Sequence, residues 1–238
     1  MVWIWFLLLV FTDTYHRREV PILCYHQIRA HAPGDSKRSL DYVVTPERFA
    51  AQMKWLSENG YHAILPDQYV RHLTKGDALP EKPVLLQFDD GTLSQMEIAR
   101  PVLKRYGFKA TFFIMTVTLG KKGYLSAEQV RQLADEGHTI GLHSWDHQDV
   151  RKYVAADWQQ QVDRPRAELQ RITGRPVLYF AYPFGLWDRK AAAALKARGF
   201  KAAFQLAGRV DADYPLFTIR RTLVSGYYEH KRFIQLFR

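Results

Sequence analysis

Two adjacent carboxylates, Asp89 and Asp90, follow the apolar run Val84 to Phe88 and precede Gly91 and Thr92. Neighbouring acids repel each other, and a cation beside one relieves that repulsion while leaving the other able to take a proton. The pair suggests one metal ligand and one base; the competing explanation is a polar strand-to-helix turn in which Gly91 supplies an unusual backbone angle. Further along, His143-Ser144-Trp145-Asp146-His147 closes a second apolar run and sets two imidazoles four residues apart. Neutral imidazoles with a carboxylate suit zinc or another first-row divalent ion and leave coordination positions for water and substrate. Two histidines on an exposed turn are more often solvated, so this spacing gains weight only beside the aspartates. A third element, Tyr182-Pro183-Phe184-Gly185, is a stiff turn able to offer a backbone N–H to an oxyanion and an aromatic face to a sugar, although most such turns are only turns.

The elements that must position these residues alternate. From Val20 onward, short β-rich runs are separated by stretches of helical period, the pattern of a parallel sheet with crossover helices. Expected strands are Val20 to Tyr25, Tyr61 to Leu65, Val84 to Phe88, Ala110 to Met115, Thr139 to His143, Val177 to Tyr182, Ala202 to Gln205 and Leu216 to Val224. Most are continuous apolar runs, as a sheet covered on both faces requires. Thr45 and Pro46 open a helix that Gly60 ends, Ser126 and Gly137 bracket another, and Ala156 to Ile172 is a longer one that Pro165 is expected to kink or split. Seven or eight such units fit an α/β chain folded as a distorted (β/α)7-8 barrel, with an open doubly wound sheet as the alternative. The polar stretch Arg29 to Asp41 is expected as a loop over one end of the barrel, bordering the cleft.

At 238 residues and 47% hydrophobic content, the chain has one core's worth of material, read as a single domain over 20–238 behind an apolar segment over 1–19. Met1 to Phe11 has the length of a signal-peptide core but no preceding Lys or Arg and no small-x-small site after it. It is read as an export signal or membrane anchor, with a segment packed on the barrel as the rival. The formal charge of +10, from 34 basic and 24 acidic residues, is spread through apparent helices rather than massed, so no nucleic-acid partner is expected. Cys24 is the single cysteine, which excludes an internal disulfide, and it is expected to be a buried small residue rather than a nucleophile.

Phe88-Asp89-Asp90-Gly91 and His143-Ser144-Trp145-Asp146-His147 resemble the first and second motifs of the polysaccharide deacetylase family, also called the NodB-homology family, and Pro183-Phe184-Gly185 resembles the third. The likeness runs from about Val20 to Val224. It implies a metal-dependent hydrolase of N-acetylated sugars with Asp89 as base and Asp90, His143 and His147 as ligands of a divalent ion, zinc foremost, with iron, cobalt or nickel as alternatives. The arginine that usually orients the aspartate in the third motif is missing from Tyr179 to Tyr182, and Arg221 is the proposed substitute, with a surface ion pair as the rival. The late Leu-x-His motif is not evident. Leu23-Cys24-Tyr25-His26 instead resembles the rearranged order of the branch acting on poly-β-1,6-N-acetylglucosamine, which makes His26 the candidate acid. The expected partner is an acetylated polysaccharide, and the location extracytoplasmic or at the cell envelope, with peripheral membrane association. An O-acetyl esterase, a peptidoglycan or chitin deacetylase, or a non-catalytic carbohydrate-binding homologue are the alternatives.

Overall fold

The computed structural model describes residues 20–237; the expected apolar leader, 1–19, lies outside the described residues. The strands in chain order are β1 (Ile22–Tyr25), β2 (Gln27–Ile28), β3 (Val43–Val44), β4 (His62–Ala63), β5 (Pro83–Phe88), β6 (Thr111–Ile114), β7 (Thr139–Leu142), β8 (Tyr179–Ala181), β9 (Ala202–Gln205), β10 (Ile219–Arg220) and β11 (Thr222–Leu223). The α-helices are α1 (Lys37–Leu40), α2 (Pro46–Glu58), α3 (Pro66–Lys75), α4 (Arg100–Arg105), α5 (Ala127–Asp135), α6 (Ala155–Trp158), α7 (Arg164–Thr173), α8 (Arg189–Ala197) and α9 (His230–Ile234).

The main sheet is parallel throughout, in the order β10-β9-β8-β7-β6-β5-β1-β11, with β4 beside the start of β5. The two ends of that order are consecutive in the chain. β10 pairs with β9, β11 pairs with β1, and only Arg221 separates them, so one segment joins both edges. The sheet therefore curls into a nearly closed barrel instead of an open doubly wound sheet. This segment also corrects one expectation: Leu216 to Val224 is not a continuous strand. Pro215–Phe217 forms a 3-10 turn, and the strand breaks at Arg221, where the chain changes partner from β9 to β1.

Alternation along each strand divides the apolar residues into two layers. Leu23, Tyr25, Leu86, Phe88, Phe112 and Phe180 face outward and pack with helix residues such as Phe49 and Met53 of α2, Leu133 of α5 and Leu169 of α7. Ile22, Leu85, Phe113, Tyr179, Phe204 and Ile219 form a separate inner cluster with Tyr69 and Val70 of α3.

The helices obey their local signals. Thr45 accepts the Arg48 N–H at the start of α2, and Ser126 and Gln129 form a capping box at the start of α5. Pro165 splits its helix as expected: α6 and α7 are separated by a π-helical turn, Gln159–Asp163, placed just before the proline. The same arrangement, Gln95–Ala99 before Pro101, precedes α4. Proline lacks an N–H and crowds the carbonyl four residues back, and a wider turn accommodates both problems. The expected loop Arg29 to Asp41 contains the short α1 and is bracketed by the parallel pair β2 and β3. Among the described residues no helix is long and apolar enough to cross a membrane.

Candidate active site

The carboxyl ends of the strands converge on a cleft of about 290 Å³ lined by His26, Asp89, Asp90, His143, His147 and Phe184. His26 follows β1, the aspartates follow β5, His143 follows β7 and Phe184 follows β8. This is the end at which β/α barrels carry their chemistry.

Asp89 is buried and bidentate with Arg221: Nη1 donates to Oδ1 at 2.7 Å and Nη2 to Oδ2 at 2.8 Å. Arg221 is itself 4% exposed, not on the surface, and its Nε donates to the Gln205 carbonyl at 3.3 Å. Burial opposes ionisation of Asp89, but the guanidinium outweighs it and holds the carboxyl well below the usual carboxylate range. The break between β10 and β11 thus delivers the cation that the third-motif turn lacks.

Asp90 sits at φ 73°, a left-handed conformation that few side-chain-bearing residues adopt. Consecutive strand residues point to opposite faces; this turn ends the strand and lets both carboxylates approach one imidazole. Nε2 of His143 lies 3.5 Å from Asp90 Oδ1 and 3.9 Å from Asp89 Oδ2, and Nε2 of His147 lies 3.8 Å from Asp90 Oδ1. Nδ1 of His143 is 2.8 Å from the Ala181 carbonyl, so it carries the hydrogen and leaves Nε2 as a lone-pair donor. Three other residues here share the left-handed strain, Ser144, His147 and Phe184, leaving Lys82 as the one non-glycine case away from the cleft among the described residues. Such strain concentrates where surrounding structure enforces a working geometry.

Ligand atoms of Asp90, His143 and His147 all lie within 4.8 Å of one another. Asp90 Oδ1 and His143 Nε2 are buried without a hydrogen-bond partner, a costly arrangement that a divalent cation would resolve. Burial, with the charge of Asp89 added, raises the Asp90 carboxyl to about 7, and burial lowers both imidazoles to about 4. Neutral imidazoles and a carboxyl lacking a counter-charge fit a metal centre, and the chain's own residues supply three ligands with room for water and substrate.

His26 is 9% exposed, with an unpartnered Nδ1 and its ring edge-on to Tyr42 at 4.8 Å. Its lone-pair atom, the Cys24 sulfur and an Asp89 oxygen lie within 4.8 Å of one another. Cys24 is buried, as expected, and burial raises its thiol well above the ordinary value, which disfavours the thiolate that a nucleophile requires. Its S–H nevertheless points at Asp89 Oδ2, 3.4 Å away.

Pro183-Phe184-Gly185 forms a 3-10 turn beside the imidazoles, with the exposed Phe184 ring 4.4 Å from that of His147. Gly185 has φ 68°, and any side chain there would meet Leu206 at 2.7 Å. Tyr182, at the start of the same turn, cannot offer a face to a sugar: it is fully buried and donates its hydroxyl to the Phe217 carbonyl. Trp145, Trp187, Tyr227 and Tyr228 do not line the cleft either. The expected loop does border the cleft, through Arg38 and Ser39, but sequence reasoning singled out neither of them, nor Gln27, Tyr42 and Leu206, which line it as well. All but Gln27 and Leu206 belong to the segment between β2 and β3, where neither period nor motif marks individual residues.

A polysaccharide deacetylase family model matches residues 76–203. YxkH of Bacillus subtilis strain 168, provisionally named a polysaccharide deacetylase, is 30% identical over 208 residues, covering 87% of this chain and 72% of that protein. The poly-β-1,6-N-acetyl-D-glucosamine N-deacetylase of Staphylococcus epidermidis is 26% identical over 235 residues, covering 89% of this chain and 81% of that one. Among solved structures, the Streptococcus pyogenes deacetylase PplD in complex with acetate superimposes with a TM-score of 0.83 over 92% of this chain and 98% of that one at 22% identity, a likeness of fold.

Proposed function

The chain belongs to the polysaccharide deacetylase family, and from that premise we propose that it hydrolyses the acetamido groups of N-acetylglucosamine units in a polysaccharide, releasing acetate and leaving a free amine. The observation that carries this reading is the pairing of two differently treated carboxylates at one strand end: Asp89 locked by Arg221, and Asp90 left open beside two neutral imidazoles. The S. epidermidis relative is named for action on β-1,6-linked N-acetylglucosamine, which favours that linkage.

Asp90, His143 and His147 would hold the divalent ion, and their N2O donor set suits zinc best, with iron, cobalt or nickel compatible. When bound, such an ion supplies Lewis acidity for the acetyl carbonyl and acidifies a water. Asp89 is the base. Because Arg221 keeps it ionised, it is ready to accept the proton of the attacking water, and the bidentate contact fixes the carboxylate orientation. The backbone N–H of Phe184 is assigned to the oxyanion. His26 delivers a proton to the departing nitrogen, since an amide nitrogen leaves poorly unless protonated. Burial lowers His26 to about 4, against the opposing pull of Asp89, so the resting imidazole is neutral and must first be charged. The proton that Asp89 has just accepted is the nearest source, because the two groups are neighbours.

The apolar run Met1 to Phe11 supports an extracytoplasmic or envelope location, where acetylated polymers are found. The decisive experiment measures bound metal together with acetate release from β-1,6- and β-1,4-linked N-acetylglucosamine oligomers, for wild type and Asp89→Asn. Metal-dependent release lost in the variant is the expected result, and the preferred linkage assigns the polymer. Bound metal with no release from any acetylated oligomer would overturn the reading in favour of a carbohydrate-binding protein.

A further inference from the structure

Outside the cluster of aspartates and histidines, Arg38 is the one charged side chain on the cleft wall among the described residues. Gln27 accepts a hydrogen bond from Arg29, Ser39 bonds Ser36, and Asp89 is paired with Arg221. Arg38 lines the same cleft and makes no hydrogen bond, ion pair or ring contact among the described residues. A guanidinium offers five donors in a planar fork suited to carboxylate or phosphate, and here the fork is uncommitted.

Its support, by contrast, is tied down at many points. Asp35 caps the segment through a bidentate pair with Arg29 at 2.7 and 2.8 Å, and Ser36 caps α1 by accepting the Ser39 N–H. The segment after β11 straps the other side: Ser225 donates to Asp41 at 2.7 Å, the Gly226 N–H donates to the Asp41 carbonyl, and the Tyr227 hydroxyl donates to the carbonyl of Lys37, next to Arg38. Gly226 lies so close that a side chain there would meet the carbonyls of Leu40 and Val43 at 2.2 and 2.1 Å. A free cation on an anchored wall is preorganised for an anion, because holding the backbone has removed part of the entropic cost of binding.

Resting on the deacetylase reading above, we propose that Arg38 is a specificity-determining residue that recognises an anionic substituent, a carboxylate or a phosphate, carried by the polysaccharide next to the sugar being deacetylated. A cleft of about 290 Å³ is at the small end for a ligand site, so it admits little beyond the reacting sugar, and a rim cation meets what lies beside it. The general charge of +10 adds attraction for an acidic polymer but cannot give register; a single fork can.

The test is equilibrium binding of three short N-acetylglucosamine oligomers, identical except that the neighbouring sugar is neutral, bears a carboxylate or bears a phosphate. Wild type, Arg38→Gln and Arg38→Lys are compared, with acetate release followed in parallel. Wild type should bind one anionic oligomer roughly five- to tenfold more tightly than the neutral one. Arg38→Gln should bring that ratio close to one, and Arg38→Lys should keep part of it. The carboxylate and phosphate arms identify which anion is read. A ratio near one in wild type, or one that Arg38→Gln leaves intact, overturns the proposal. Absence of acetate release alongside an Arg38-dependent preference would reject the deacetylase reading and leave the anion site standing.

Discussion

The two ends of the barrel lumen are built from the same strands to opposite specifications. Leu85 of β5 and Asp89, the first residue after that strand, lie on one face four residues apart. Leu85 sits in the inner apolar cluster with Ile22, Phe113 and Phe204, closed from below by Tyr69 and Val70 of α3. Asp89 sits beside Arg221, Cys24 and His143, in a region that holds buried charges, unpartnered polar atoms and left-handed side-chain-bearing residues. The lower end stabilises the fold by removing apolar surface from water. The upper end costs stability, and the nearly closed ring beneath it is what keeps the strained geometry in place. One strand therefore serves both purposes, because distance along it separates the stable end from the reactive one.

The largest effect is expected at the top. Asp89→Asn should lower turnover by about 10²- to 10⁴-fold while metal content is retained, as measured by single-turnover acetate release and metal analysis. Activity within a factor of a few of wild type would remove Asp89 from the role of base. His143→Ala should lose metal and turnover together, and added zinc should restore neither; chelation of wild type should instead be reversible on readdition of metal.

The next effect falls on stability. Arg221→Ala strands Asp89 as a buried charge without its partner, and should destabilise by roughly 3–5 kcal/mol in chemical denaturation, whereas Arg221→Lys should recover part of this but not the bidentate orientation. At the bottom, Leu85→Ala should cost about 2–5 kcal/mol and leave turnover per folded molecule unchanged. A loss of turnover without loss of stability in Leu85→Ala would break the division between the two ends.

The smallest effect lies outside the lumen, at the pair that Arg100 makes with Glu136, where Nε donates to Oε2 at 2.7 Å. The guanidinium hydrogen bond lowers the Glu136 carboxyl from 4.5 to about 2. A depressed folded value stabilises above the unfolded value and is lost as pH falls through the folded one, so Arg100→Gln should differ from wild type by at most about 1 kcal/mol at pH 7. The difference should fade between about pH 4.5 and 2, and urea titrations at several pH values would show it.

The alternation of strand and helix, the positions of most strands to within two residues, the helix starts at Thr45 and Ser126, and the two motifs at strand ends are all legible in the sequence. Those features are written locally, in apolar period, capping residues and adjacent ionisable groups, so no distant contact is needed to read them. The near-closure of the sheet cannot be read in that way, because it depends on one interrupted segment pairing with both β9 and β1. Tertiary structure also decided that Arg221, 132 positions from Asp89 in sequence, is buried against it and not on the surface. Tyr42 and Arg38 became visible only once the segment after β11 had strapped their loop over the cleft. Periodicity reports which face of an element is buried; which side chains meet across a barrel mouth is set by the closure of the ring and the path of its loops.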